Sequence, residues 1–217
     1  MLRSIYQALD RRYTIAPFIE RNLTKKDVPR TLGWGGCFGG LAFLVFLIQV
    51  YTGVLLLIYY KPDPARAWDS VTFIKSNVPM GWLIQRVHTV SANVMIVLVL
   101  MHMARVAYYK IYRAPRELHW VSGVFLFAFT ALMAFTGYLL PWTNLSFWGA
   151  SVATEVPTAI PVVGEQIANW VRRGPTISGE TLGFFYAMHI WMLPTLAALF
   201  MGMHFVMIRR TGISKPL

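Results

Sequence analysis

Four histidines set in two pairs carry the clearest chemistry in this 217-residue sequence. His88 and His102 stand 14 residues apart in one uncharged stretch, and His189 and His204 stand 15 apart in another. On a helix of 3.6 residues per turn both steps return to nearly the same face, displaced by about 21 Å along the axis. Histidine is costly in a bilayer and normally faces the interior of a bundle with a defined partner. Two such helices side by side could clamp two flat haems, one stacked above the other. Iron held by two axial imidazoles has no open position, so such haems carry electrons rather than bind oxygen. A proton relay or a structural hydrogen-bond network is the competing use of the same side chains.

The elements that must position these residues are membrane spans. A mean hydropathy of +0.51 with 13% charged residues does not describe a water-soluble domain. The uncharged runs Thr31 to Tyr60, Val87 to Ala104, Leu118 to Pro141 and Thr181 to Ile208 are each long enough to cross about 30 Å of hydrocarbon. The expectation is an all-α membrane protein: a four-helix transmembrane haem-binding bundle, with spans over 31–60, 81–109, 118–141 and 181–208. Residues 1–30 are read as an amphipathic, basic segment at the interface. The first span follows so much charged sequence that it does not resemble a cleaved signal peptide. The outer-side segment 142–180, rich in Pro and Gly yet too apolar for a free linker, is expected to fold into short surface helices. "KPDP" and "NVPMG" mark Lys61 to Gly81 as an outer loop. The whole of 1–217 is read as one domain.

A net charge of +11 raises the possibility of nucleic acid, but its distribution argues against that partner. Seven basic residues precede the first span. Arg105, Lys110, Arg113 and Arg116 join the second to the third, and Arg209, Arg210 and Lys215 follow the fourth. Only Lys61, Arg66, Lys75, Arg86, Arg172 and Arg173 fall to the other side. By the positive-inside rule both termini face the cytoplasm or its equivalent. Helices two and four are then both entered from outside and run parallel. His88 pairs with His189 near the outer surface, and His102 with His204 deeper.

Glycines echo the spacing on the other two helices: Gly39 and Gly53 are 14 apart in the first span, and Gly123 and Gly137 are 14 apart in the third. A residue without Cβ lets a flat ring approach the backbone; ordinary small-residue helix packing is the alternative. Cys37, the one cysteine, excludes an internal disulfide and a Cys-rich metal site. His119, beside the "PREL" turn, is read as an interfacial side chain without a partner at haem spacing. Glu155 is read as a solvated loop carboxylate.

Six motifs together carry a family resemblance: "GCFGG" at 36–40, "QVYTG" at 49–53, "PREL" at 115–118, "GYLLPW" at 137–142, "AIPVVG" at 159–164 and "MIRRTGISKPL" at 207–217. With them, nearly the whole chain resembles the N-terminal half of the cytochrome b family of quinol-oxidising complexes. The 15-residue step in the fourth helix and the stop after "ISKPL" resemble the split, b6 type. The resemblance implies two b haems, one between His88 and His189 and one between His102 and His204, with Gly39, Gly53, Gly123 and Gly137 around them. It implies that Cys37 holds a third, covalently attached haem by one thioether bond, and that Arg209 offers a cation at the inner quinone site. "SFWGA" resembles one wall of the quinol-oxidation pocket, contributed by Phe147, Trp148, Gly149 and Ala150. The rest of that pocket is expected on a companion three-helix subunit, since no Pro-Glu-Trp-Tyr motif occurs here.

The other implied partners are a Rieske iron–sulfur protein, a c-type cytochrome, membrane lipid and a second copy of the complex. In this reading quinol is oxidised outside, quinone is reduced inside, and proton release and uptake build the gradient. Two departures stand out. The family commonly places an arginine three residues before the first histidine; here Gln85 stands there and Arg86 follows, about 100° around the helix, so Arg86 becomes the candidate for the haem propionate. "PWTNLSFWGA" replaces the PWD of many b6 proteins, which favours a bacterial inner membrane over a thylakoid. The rival readings are a di-haem anchor of a hydrogenase or formate dehydrogenase, and a non-redox membrane protein with structural histidines.

Overall fold

A computed structural model describes residues 34–212, and the interfacial segment expected over 1–30 lies outside the described residues. Within them every regular element is helical. A 3-10 turn, Trp34–Cys37, opens the first span, whose α-helix α1 runs Phe38–Leu57. A 3-10 turn is a common start to an α-helix, and regular helix here begins later than the uncharged run. Of α1, only Ala42, Phe46 and Thr52 are buried, because its outward side chains are apolar too. That all-round apolarity marks a span rather than a surface helix.

The segment expected as an outer loop over Lys61 to Gly81 contains a helix, α2, Ala67–Asn77, which buries Ala67, Ser70, Val71 and Ile74. Ala67, Val71 and Ile74 stand at i, i+4 and i+7, a helical stripe that the flanking turn signals overshadowed. The second and third spans are α3, Gly81–Tyr108, and α4, Glu117–Leu139. Between the third and fourth lie α5, Asn144–Glu155, a 3-10 turn Val156–Ala159, and α6, Gly164–Arg172. Thr143 and Ser146 close a capping box at the start of α5, satisfying donors that a helix start leaves unpaired.

The fourth span is continuous over Gly179–Thr211 but is wound in three pieces: α7, Gly179–Ala187, a π-helical turn Met188–Met192, and α8, Leu193–Thr211. Pro194 stands in the first turn of α8. It has no N–H to give and its ring crowds the carbonyl four residues back, which favours a locally widened winding. His189 sits inside that turn.

Among the described residues four helices are long and apolar enough to cross a membrane. Their outward faces carry large apolar side chains such as Tyr51, Val97 and Leu199, a surface suited to lipid and not to water. We call the end bearing α2, α5 and α6 the outer end and the other the inner end. At the outer end, Ala67, Leu139, Ala150, Ile177, Leu182 and Phe185 form one core, flanked by Tyr60, Trp142 and Phe147. A second core lies mid-bundle: Ala42 and Phe46 of α1, Met95 of α3 and Ala197 of α8, with Leu98, Phe129, Met133 and Met201 packed against it. The principal packing partners are α1 with α3 and α4 with α8.

Candidate functional site

His88 of α3 and His189 of the π turn face one another, with ring centres 6.3 Å apart and planes at 76°. A metal bonded to one nitrogen of each ring, with bonds of about 2 Å, sets ring centres at roughly this separation. Among the described residues no three His, Cys, Asp or Glu side chains come together. A metal held by a histidine pair alone must therefore arrive with its other ligands, and a porphyrin supplies four in-plane nitrogens.

The glycines face the histidines one to one. A Cβ built on Gly53 would meet His88 Cε1 at 3.3 Å, and one on Gly137 would meet His189 Cε1 at 2.5 Å. At the inner end, Gly39 lies against the His102 ring at 3.1 Å and Gly123 against that of His204 at 3.8 Å. Gly39 and Gly53 are thus on α1 against the histidines of α3, and Gly123 and Gly137 on α4 against those of the fourth span. This correspondence joins what the sequence showed only as two equal spacings.

Each of three imidazoles is met by a hydroxyl at Nδ1. Thr52 Oγ1 lies 2.8 Å from His88, Ser122 Oγ 2.8 Å from His204, and Thr136 Oγ1 3.3 Å from His189. His189 Nδ1 also lies 2.9 Å from the Met133 carbonyl. Gln49 ties α1 to α3 at the outer level, its amide donating to the His88 carbonyl and to Ser91 Oγ, both at 2.8 Å. Sequence reading missed these hydroxyls. The available signal was the repeated Thr-Gly or Ser-Gly at 52–53, 122–123 and 136–137.

The mid-bundle core lies between the two levels: Met95 is midway between His88 and His102, and Phe129 and Met133 fall between Gly123 and Gly137. At the inner end His119 is not merely interfacial. Its ring packs edge-on against His204 with centres 6.2 Å apart, and its Nε2 lies 3.1 Å from Thr211 Oγ1. His119 Nδ1 and Arg105 Nη2 are the two buried side-chain polar atoms without a hydrogen-bond partner among the described residues. Such orphans are rare. One lies against His204 and the other one turn beyond His102; of the two, the Arg105 guanidinium is a donor that would suit an acid group of a porphyrin held at this level. The facing imidazole pair and its glycines fit haem at the outer level, and the glycine-backed imidazoles with the unpartnered Arg105 nitrogen fit it at the inner level.

The remaining expected residues are placed as follows. Cys37 is exposed at the head of α1, two residues before Gly39. Arg86 is exposed, while Gln85 is half-buried with its amide 3.1 Å from Thr89 Oγ1. Arg209 is exposed in the last turn of α8. On α5, Ala150 is buried in the outer core, Phe147 stacks edge-on with Trp142 and Trp148, and Trp148 is exposed. Gly149 approaches the Tyr138 ring. Glu155 is exposed but ion-paired to Arg172.

Arg172 itself is buried and carries no functional signal in the sequence. Its Nε donates to Thr154 Oγ1 at 2.7 Å, Nη1 to the Pro175 carbonyl at 3.1 Å, and Nη2 to the Ser151 carbonyl at 3.2 Å and to Glu155. Its own carbonyl accepts from Thr181 Oγ1. Arg172 thus joins the "SFWGA" helix, through its guanidinium, to the start of the span that carries His189, through its backbone carbonyl.

Fold and site together define a membrane-spanning bundle with a facing histidine pair at one level, two further glycine-backed histidines at the other, and an apolar layer between. Residues 23–212 match the family described as Cytochrome b/b6/petB. Cytochrome b6 of Synechococcus sp. (strain JA-3-3Ab) is 41% identical over 216 residues, covering all of both chains. That of Gloeobacter violaceus is 43% identical over 196 residues, 90% of this chain and 91% of its own. A solved structure titled "Hyperthermophilic respiratory Complex III" superposes with a TM-score of 0.92 at 34% identity, covering 97% of this chain and 56% of that one. The chain thus spans little more than half the length of that Complex III subunit. It belongs to the cytochrome b/b6 family.

Proposed function

We propose that this chain is the di-haem cytochrome b subunit of a quinol-oxidising Rieske/cytochrome b complex. It carries electrons across the membrane between an outer quinol-oxidation site and an inner quinone-reduction site, coupled to proton translocation. The observation that supports this most directly is the one-to-one opposition of four glycines and four histidines, within a chain of this family. Residues 1–217 act as one b6-type domain, with both termini on the cytoplasmic side of a bacterial inner membrane.

His88 with His189 and His102 with His204 are the axial ligands of two b haems, which supply reversible one-electron chemistry when bound. The four glycines leave room for a flat ring beside the backbone. Between the levels, Phe46, Met95, Phe129 and Met133 exclude water, so charge crosses this layer without a proton path. Arg105 and His119 offer polar atoms at the inner level, and Arg86 and Arg209 offer cations at the outer and inner faces. Phe147, Trp148, Gly149 and Ala150 form one wall of the quinol pocket, and a companion three-helix subunit supplies the other. A Rieske protein and a c-type cytochrome take the high-potential electron, and the complex is dimeric.

Purification of the intact complex with haem quantitation tests the reading. Two non-covalent b haems per chain and a b-type band in the reduced-minus-oxidised spectrum are expected. A spectrum without that band sinks the proposal. Cys37 is assigned a third haem by a thioether bond, supported by its place at the same helix end as Gly39 and His102. Wild type should stain for haem on a denaturing gel and Cys37→Ser should not; a band persisting in the variant removes the assignment.

A further inference from the structure

The geometry points to Thr52, Ser122 and Thr136 as positioning residues that hold His88, His204 and His189 in the tautomer with hydrogen on Nδ1, which leaves Nε2 free to bind iron. The inference rests on the haem reading above and concerns which groups make these imidazoles ligands.

A hydroxyl has one hydrogen to give, and each of these three is already committed. Thr52 Oγ1 donates to the Ile48 carbonyl at 2.6 Å, Thr136 Oγ1 to the Leu132 carbonyl at 2.8 Å, and Ser122 Oγ to the His119 carbonyl at 2.9 Å. The oxygen that faces each imidazole is therefore an acceptor, and the hydrogen in that contact belongs to Nδ1. The Met133 carbonyl, which has nothing to donate, reaches the same conclusion for His189 independently. In a neutral imidazole the other nitrogen then carries the lone pair.

The placement follows from helix geometry. Each hydroxyl belongs to the residue just before the glycine that faces the same ring. Glycine brings the ring onto the helix, and its neighbour, turned by one helical step, meets the ring nitrogen. At the fourth glycine, Gly39, the preceding residue is Phe38, so the residue before the glycine offers His102 no hydroxyl. The inner level thus receives one such contact and the outer level two.

An acceptor at Nδ1 raises the basicity of the bound imidazole and so favours ferric over ferrous iron. Removing it should raise the reduction potential. In the intact complex, redox titration of Thr52→Val should retain both b haems and raise the outer potential. The expected change is about tenfold in the ferric/ferrous equilibrium, or about 59 mV for one electron. Ser122→Ala should raise the inner potential alone. Thr136→Val should shift the outer potential less than Thr52→Val, because the Met133 carbonyl remains. Thr52→Ser keeps the acceptor and should leave the potential near that of wild type.

Loss of the outer haem from Thr52→Val with retention in Thr52→Ser also supports the assignment. Unchanged potentials in the valine and alanine variants overturn it, as does an equal shift or equal haem loss in Thr52→Val and Thr52→Ser. Wild type without b haem would instead remove the functional reading beneath it.

Discussion

Replacing Gly137 with alanine should remove the b haem proposed at the outer level and leave the one proposed at the inner level in place. In an ordinary helix interior this substitution stabilises by about 1 kcal/mol, because alanine loses less backbone entropy. Here the added Cβ would lie 2.5 Å from Cε1 of His189, 3.0 Å from Nδ1 and 3.2 Å from Nε2. The ring cannot simply swing aside, since Nδ1 is held by the Met133 carbonyl and Thr136. Metal–ligand distances tolerate only about 0.2 Å, less than the displacement the methyl demands. Steric exclusion therefore outweighs the propensity gain. At Gly123 the same change meets His204 Cε1 at 3.8 Å, an ordinary contact, and Gly123→Ala should keep both haems. Haem-to-protein ratios of the two purified variants decide the matter. Equal haem content in both would show that the glycine faces do not govern ring access.

Arg172→Met should lower stability by about 3 kcal/mol, concentrated at the outer end. The ion pair is not the main reason. The Arg172 side chain is 8% exposed and that of Glu155 63%, so water can take over the freed carboxylate and the pair itself contributes less than about 1 kcal/mol. The larger cost falls on the Ser151 and Pro175 carbonyls and on Thr154, which lose their donor. Lysine offers a point charge in place of a planar fork, so Arg172→Lys should recover only part of the loss. Glu155→Gln should change stability little. Thermal loss of the outer-haem band, followed in the purified complex, orders the three variants. A Glu155→Gln loss equal to that of Arg172→Met would place the energy in the ion pair instead.

Both effects arise from contacts between distant segments, and that is where reading the chain alone stops. Four uncharged runs are legible because hydrocarbon tolerates neither charge nor unpaired backbone. The two histidine faces are legible because 14 or 15 residues return to one side of a helix. The family resemblance rests on motifs contiguous in the chain. Turn signals around α2, by contrast, hid its Ala67, Val71 and Ile74 stripe, and Arg172 looked like any loop arginine until Ser151, Thr154 and Pro175 closed around it.

The unequal histidine steps draw the line most clearly. On a regular α-helix, 15 residues overshoot a common face by about 60° where 14 fall short by about 40°. The numbers alone leave the two pairs slightly out of register. The π turn at Met188–Met192 absorbs the extra residue, so His189 and His204 present to α4 as His88 and His102 present to α1. What the sequence determined by itself is local and periodic: which segments cross the membrane, which face each histidine takes, and where glycines recur. Only the tertiary structure decided which glycine meets which ring, which hydroxyl meets each nitrogen, and how the outer wall is pinned to the fourth span. Those depend on the rotation and winding of one helix against another, and packing sets them.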